Sequence, residues 1–273
     1  MENGLHLQTT YCQSCTSKNL VRLIEKYDVD ILQFGIKFNA APGTDEASWQ
    51  NYLASNEWTS EGIDILYDCF SMHRIQQHYW NKIYRGDVCR TAGAAMPDLN
   101  LTQAGDMLQA FFFFYYAKTF RSVTDGPYYE YFIGNGISTR ASSSERFAAL
   151  CATSEIVPAL ERFLQRENAL DNNRFLLEAI EITLKTTVVS ELLILPEITR
   201  ETVRMVVENW GAGVLYDFIK ATGLLDIRCE SRYKLVQALA GEIQKRNKQM
   251  QNSAGNTAIS VDGKSAAQTA PGK

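Results

Sequence analysis

The residues best equipped for chemistry lie between His73 and Arg90, where His73, Arg74, His78, Tyr79, Trp80, Lys82, Tyr84, Arg85 and Arg90 interleave cations with aromatic rings. Guanidinium and ammonium groups neutralise phosphates and flat rings stack on unpaired bases, so this mixture suits a groove for single-stranded nucleic acid. Arg74, Tyr79, Trp80, Lys82, Arg85 and Arg90 are the candidate contacts. A competing reading puts Tyr79, Trp80 and Tyr84 in the core and leaves the cations as the wet side of a helix. Six acidic residues between positions 71 and 146 also oppose a polyanion.

Other constellations carry less. Cys12 and Cys15 have the spacing of two thiolates on one zinc ion. A second pair would have to come from His73 and His78, which on a helix diverge by about 140° and so do not share a face. The expectation is a reduced cysteine pair and no metal. Gly263-Lys264-Ser265 ends like a phosphate-binding loop, but Ala258 stands where that motif needs its first glycine. Gly134-Asn135-Gly136 lacks the third glycine of a dinucleotide loop, Thr139 occupying its place. With three histidines and no serine in a nucleophile elbow, no catalytic triad assembles from the sequence. The expectation is a protein that is not an enzyme and binds no cofactor.

The elements that would position these residues read as helices. Phe111, Phe112, Phe113, Phe114, Tyr115 and Tyr116 are consecutive, and at 100° per residue they point to every side of a helix. A helix with no wet face belongs in a core or a bilayer, and this run is shorter than the about 20 apolar residues a membrane span needs. It predicts a central buried helix over 101–121, capped by Thr102 and ended by Asp125-Gly126-Pro127. Upstream, Leu20, Leu23, Ile24, Tyr27, Ile31 and Phe34 predict a helix from Ser17 or Asn19. Trp49, Tyr52 and Leu53 predict a short helix after Thr44, and a longer one runs from Thr59 or Ser60 to about Tyr84. Residues 86–97 read as a loop of small residues, and 128–133 as a strand with no obvious partner.

Downstream, Ser142 with Glu145 forms a capping box, and helices follow through Phe147, Leu160 and Phe163. A long helix runs from Asp171 to near Pro196, another ends at Trp210 before Gly211, and further helices cover 214–222 and the stretch after Asp226 or Ser231. Residues 249–273 lack large apolar side chains and are expected to be a disordered tail. The resulting expectation is an all-α protein of about ten helices, with an N-terminal lobe over 1–135, a C-terminal lobe over 136–248 and the tail.

The formal net charge is -4, unevenly spread: residues 1–70 carry -6, 71–146 carry +2, 147–199 carry -4 and 200–248 carry +3. Alternating blocks suit head-to-tail contacts between copies. The N-terminus lacks the basic and apolar regions of a secretory signal, and six scattered cysteines fit a reducing compartment. The functional expectation is a cytoplasmic, non-enzymatic, self-assembling protein, a homo-oligomer that coats single-stranded RNA in the manner of a nucleocapsid or coat protein, without membrane contact. The alternative is a helical scaffold or regulatory module that binds protein and no nucleic acid.

Overall fold

The computed structural model describes residues 14–40, 55–133 and 143–221. The short helix expected after Thr44, the helix after Asp226, the tail and Cys12 lie outside them. The described residues are not all-α: besides helices they form a four-stranded and a two-stranded sheet, making the fold mixed α/β. The chain divides into two compact units, one of residues 1–142 and 152–184, the other of 143–151 and 185–273.

In the first unit, α1 (Ser14–Tyr27) stops well before Phe34. Asp28 takes a positive φ of 44°, and Ile31, Leu32 and Gln33 then form β1 (Ile31–Gln33), buried on both faces. Ile31 and Phe34 fit helical spacing and an apolar strand equally well, and burial between two layers selects the strand. The four-stranded sheet has the order β3 (Trp58–Glu61), β5 (Thr119–Ser122), β1, β4 (Lys82–Tyr84). β1 and β5 are parallel, and the outer strands run antiparallel to them. The helix expected from Thr59 to Tyr84 is therefore a strand, a seven-residue helix α2 (Asp64–Phe70), an irregular approach over 71–81 and a second strand. Residues 86–97, expected as a loop, hold α3 (Gly86–Ala95). Only Val88 and Ala92 of α3 are buried, too few to print an apolar stripe, and its alanines favour helix through propensity instead.

The aromatic run forms α4 (Gly105–Tyr116), with Ala104 rather than Thr102 before it and Ala117 after it. Residues 119–122, expected as its last turn, pair as β5. The strand expected over 128–133 is β6 (Tyr129–Ile133), and its missing partner is β2 (Ile36–Ala40), parallel and in register from Ile36 opposite Tyr129 to Ala40 opposite Ile133. β1 leads into β2, and β5 into β6, so one parallel ribbon passes from the first sheet to the second. It crosses at Gly35, whose N–H donates to Asp125 O (3.0 Å) and whose carbonyl accepts from the Tyr128 N–H (3.1 Å). A Cβ on Gly35 would lie 3.1 Å from Asp125 O, and one on Gly126 2.9 Å from Gly35 O. The close approach of the two chains requires both glycines.

One face of the four-stranded sheet packs on α1, through Leu32, Ile83, Leu23 and Ile24. The other faces α4, where Tyr84 meets Phe113 at 4.6 Å and Phe120 meets Phe114 at 6.2 Å between ring centroids. α4 packs its remaining rings on Phe163 of α6 (Ile156–Arg166), with Phe112 at 4.7 Å and Tyr115 at 4.9 Å. Pro158 sits in the first turn of α6, where its missing N–H costs nothing.

The second unit is helical among the described residues. α5 (Ser144–Cys151), the end of α7 (Leu170–Ile194), α8 (Arg200–Trp210) and α9 (Ala212–Ala221) share a core of Phe147, Leu150, Val188, Leu192, Val203, Val206 and Leu215. The Ser143 hydroxyl accepts from Arg146 N at the start of α5, one residue later than the expected box. Thr199 and Thr202 cap α8 reciprocally, and Gly211, with φ of 80°, ends it as expected.

Phe112 is fully buried against Phe111 and Phe163. Phe112→Ala is expected to lower stability by about 3 to 5 kcal/mol in urea unfolding, whereas a change below about 0.5 kcal/mol would mean the ring adds little to packing.

Candidate functional site

Pairing places the side chains of the four-stranded sheet in rows, because residues opposite each other share a face. One row runs Trp58, Ser122, Gln33, Lys82 across β3, β5, β1 and β4. Its neighbour runs Ser60, Phe120, Ile31, Tyr84. The first row is polar, lies at the carboxyl ends of the parallel strands β1 and β5, and is buried at Ser122, Gln33 and Lys82. Open α/β sheets place ligands at such strand ends. Gln33 Nε2 donates to Ser122 Oγ (3.1 Å), while Gln33 Oε1 and Ser60 Oγ are buried with no hydrogen-bond partner among the described residues.

From α2, Asp68 accepts from Trp58 Nε1 (2.8 Å) through Oδ2 and pairs with Arg74 Nη1 (3.2 Å) through Oδ1. The Arg74 guanidinium also lies 4.7 Å from the Trp58 ring centroid, a cation–π contact. Lys82 Nζ donates to the His78 carbonyl and to Asn81 Oδ1 (2.9 Å). Burial lowers the Lys82 amine to about 7 and pushes the Cys69 thiol and the Tyr84 phenol up. Across the approach, Asp106 is held below the usual carboxylate range first by its hydrogen bond with His78. The His78 ring stacks on Trp80 at 5.1 Å, and Trp80 stacks on Tyr131 (4.7 Å) and Tyr129 (5.1 Å) of β6.

Comparison of the chain with protein-family models, curated proteins and solved structures finds no match. Function must therefore be read from the geometry alone.

The six residues expected to line a nucleic-acid groove fall into separate networks. Arg74 is tied to Asp68 and Trp58. Trp80 belongs to the ring stack between the approach and β6. Lys82 is 5% exposed and points into the sheet's buried face. Arg85 pairs with Asp28 (2.9 Å) and through Nε with Asp30 (3.0 Å). Tyr79, 43% exposed, and Arg90, on the surface of α3, remain open to solvent. His73 is exposed, and the described residues contain no group of three or more metal-ligating side chains.

The sequence reading missed the polar row. Gln33 hides in the apolar run Ile31-Leu32-Gln33-Phe34, and Ser122 in the tail of the aromatic helix. Thr119-Phe120-Arg121-Ser122 has a single apolar side chain, so the alternation of burial along β5 emerges only in the fold and left no signal in the sequence.

Asp30 ties the starts of β1 and β5 to the end of β4: its carboxylate accepts from Lys118 N (2.7 Å) and pairs with Arg85, and its own N–H donates to Thr119 Oγ1 (3.0 Å). Asp30→Ala strands these donors and is expected to cost about 1 to 3 kcal/mol. Arg90→Ala should stay within about 0.5 kcal/mol of wild type. Equal effects in parallel urea titrations would contradict this division between structural and free cations.

Proposed function

We propose that the chain is a non-enzymatic protein-interaction scaffold that associates with copies of itself. The observation that supports this most is the outer face of α7, where Phe175 is 58% and Ile182 63% exposed. Seven residues apart on a helix, the two share a face. The Tyr67 ring stacks on Phe175 at 6.2 Å, extending that face with a second apolar surface. Exposed large apolar side chains in register are the ordinary mark of a protein contact. The alternating charge blocks favour a second copy as the occupant, since an acidic block of one chain can meet a basic block of the next.

Among the described residues, the Cys69 thiol and the Lys82 amine, two nucleophile types, are both enclosed beyond the reach of a substrate. Among the described residues no helix is long and apolar enough to cross a membrane. We place the protein in the cytoplasm, where the free thiols Cys69, Cys89 and Cys151 would persist.

Light scattering after size exclusion should give a mass that rises with concentration, and Phe175→Asp with Ile182→Asp should return it to the monomer with an unchanged circular-dichroism spectrum. Full burial of such side chains is worth about 1.5 to 3 kcal/mol each, so single changes should weaken association by about tenfold or more. A wild type that is monomeric at every concentration, or a double variant that associates as well as wild type, overturns the reading.

A second reading, coating of single-stranded RNA, keeps support from Tyr79 and Arg90 alone. On that reading Arg90→Glu reduces the salt slope of oligonucleotide binding by about 0.7, and Tyr79→Ala weakens binding by about 1 to 3 kcal/mol with the slope kept. Absence of salt-dependent binding in fluorescence anisotropy at low ionic strength removes it.

A further inference from the structure

Lys82 is the one buried cation of the polar row, and its surroundings suit an amine better than an ammonium. Its two acceptors, the His78 carbonyl and Asn81 Oδ1, are both neutral. An ammonium brings three donors and a full charge, whereas a neutral amine brings two donors, which these acceptors satisfy.

Among the described residues no carboxylate pairs with the Lys82 amine. From α2, Asp68 is committed to Trp58 and Arg74, and Cys69 faces Lys82 as a thiol. β1 presents the amide of Gln33 directly opposite. The approach contributes His78, which pairs with Asp106 at 3.7 Å, and Arg74. β4 itself adds the Tyr84 phenol, against Phe113 of α4. The strand that carries Lys82 is a three-residue edge strand hydrogen-bonded to β1 alone in its sheet, the kind of element that opens locally at low cost.

We propose that Lys82 is a proton-operated latch: while it is a neutral amine, held by acceptors of its own segment, its burial lets β4 and residues 76–81 lie against β1, and on taking a proton from solvent it drives that segment off the sheet edge. Opening would uncover Gln33 and Ser122 and break the stack of His78 and Trp80 on β6. The direction follows from linkage. Burial holds the amine at about 7 in the closed form, while a solvated lysine titrates near about 10.4. The open form therefore binds the proton more tightly between these values. Opening is favoured as pH falls through that window, approaching tenfold per unit, and levels off below about pH 7, where both forms are protonated. Cys69 and Tyr84 act in the opposite sense, because burial keeps both protonated and opening releases them. A solvated thiol ionises near about pH 8.5, so the latch dominates from about pH 7 to about pH 8.5.

Hydrogen exchange followed by mass spectrometry on the full chain tests this, with protection factors for peptides over 76–86 corrected for the intrinsic rate at each pH. Wild type should gain protection, up to about tenfold per unit, from about pH 7 to about pH 8.5, with peptides of α6 unchanged. Lys82→Met should be flat across that range at the high-protection level, and His78→Gln should keep the wild-type slope. A flat wild type, or an unchanged slope in Lys82→Met, overturns the latch. Should Lys82→Met fail to fold, a nitrogen-15 titration of the Lys82 amine in wild type decides: a midpoint near about 7 supports the latch and one above about 9 overturns it.

Discussion

An aromatic helix that cannot show any side to water dictates the layering of the first unit. α4 carries six consecutive rings, and no single neighbour can cover a full circle of them. Three elements share the task. The sheet takes Phe113 and Phe114 through Tyr84 and Phe120, α2 meets Phe111 through Phe70 at 6.2 Å, and α6 places Phe163 against Phe112 and Tyr115. Most of these pairs are tilted or edge-on, the arrangement the ring quadrupole favours, worth about 0.5 to 1.5 kcal/mol beyond area burial. The sheet is thus required by the helix: a flat apolar surface is the cheapest cover for adjacent rings on one side. That surface is made from short strands drawn from residues 31–122.

The same sheet face holds the least comfortable groups of the described structure. Behind the apolar row of Phe120 and Ile31 lies the row of Ser122, Gln33 and Lys82. Each buried unpartnered polar atom costs about 1 to 3 kcal/mol, so Gln33 Oε1 and Ser60 Oγ offset a real part of what the rings contribute. Against a net stability of about 5 to 15 kcal/mol, such a row is expensive unless it serves something besides packing. A buried lysine without a carboxylate, on the weakest strand of the sheet, is consistent with that view.

Long elements were legible in the sequence and short ones were not. α7 and α8 were readable because their apolar stripes repeat over three or more turns and Gly211 marks a clean stop. The aromatic run was correctly placed in a core helix, but that helix was extended to Arg121, over residues 119–121 that belong to β5. Strands of three to five residues leave too few positions for a period of 2 to separate from one of 3.6. Pairing is worse still, since nothing local in Tyr129–Ile133 names Ile36–Ala40 as its partner. The candidate contacts are dispersed by the fold for a related reason. Alternating cations and rings over 73–90 look like one surface on a helix, but the stretch is an irregular approach, an edge strand and a helix start, and its cations part: Arg74 and Arg85 meet acids, Lys82 meets neutral acceptors and Arg90 stays in solvent. Asp28, Asp30 and Asp68 come from elsewhere in the chain, so the neutralisation of Arg74 and Arg85 is a property of the fold.

Among the large apolar side chains that folding leaves exposed, Phe175 and Ile182 share one face of α7. Its inward positions Leu176, Ile180, Leu184 and Val188, each four residues from the last, are all essentially solvent-free. Phe175 has the Tyr67 ring as a partner within the chain, yet Phe175 and Ile182 each leave more than half of their surface in water. Helix propensity gives no reason for them, since phenylalanine and isoleucine are poorer helix formers than the lysine or glutamate that could stand there. On the proposed reading a second copy covers this face, and a β-branched and an aromatic residue spaced by seven along a helix are suited to such a contact.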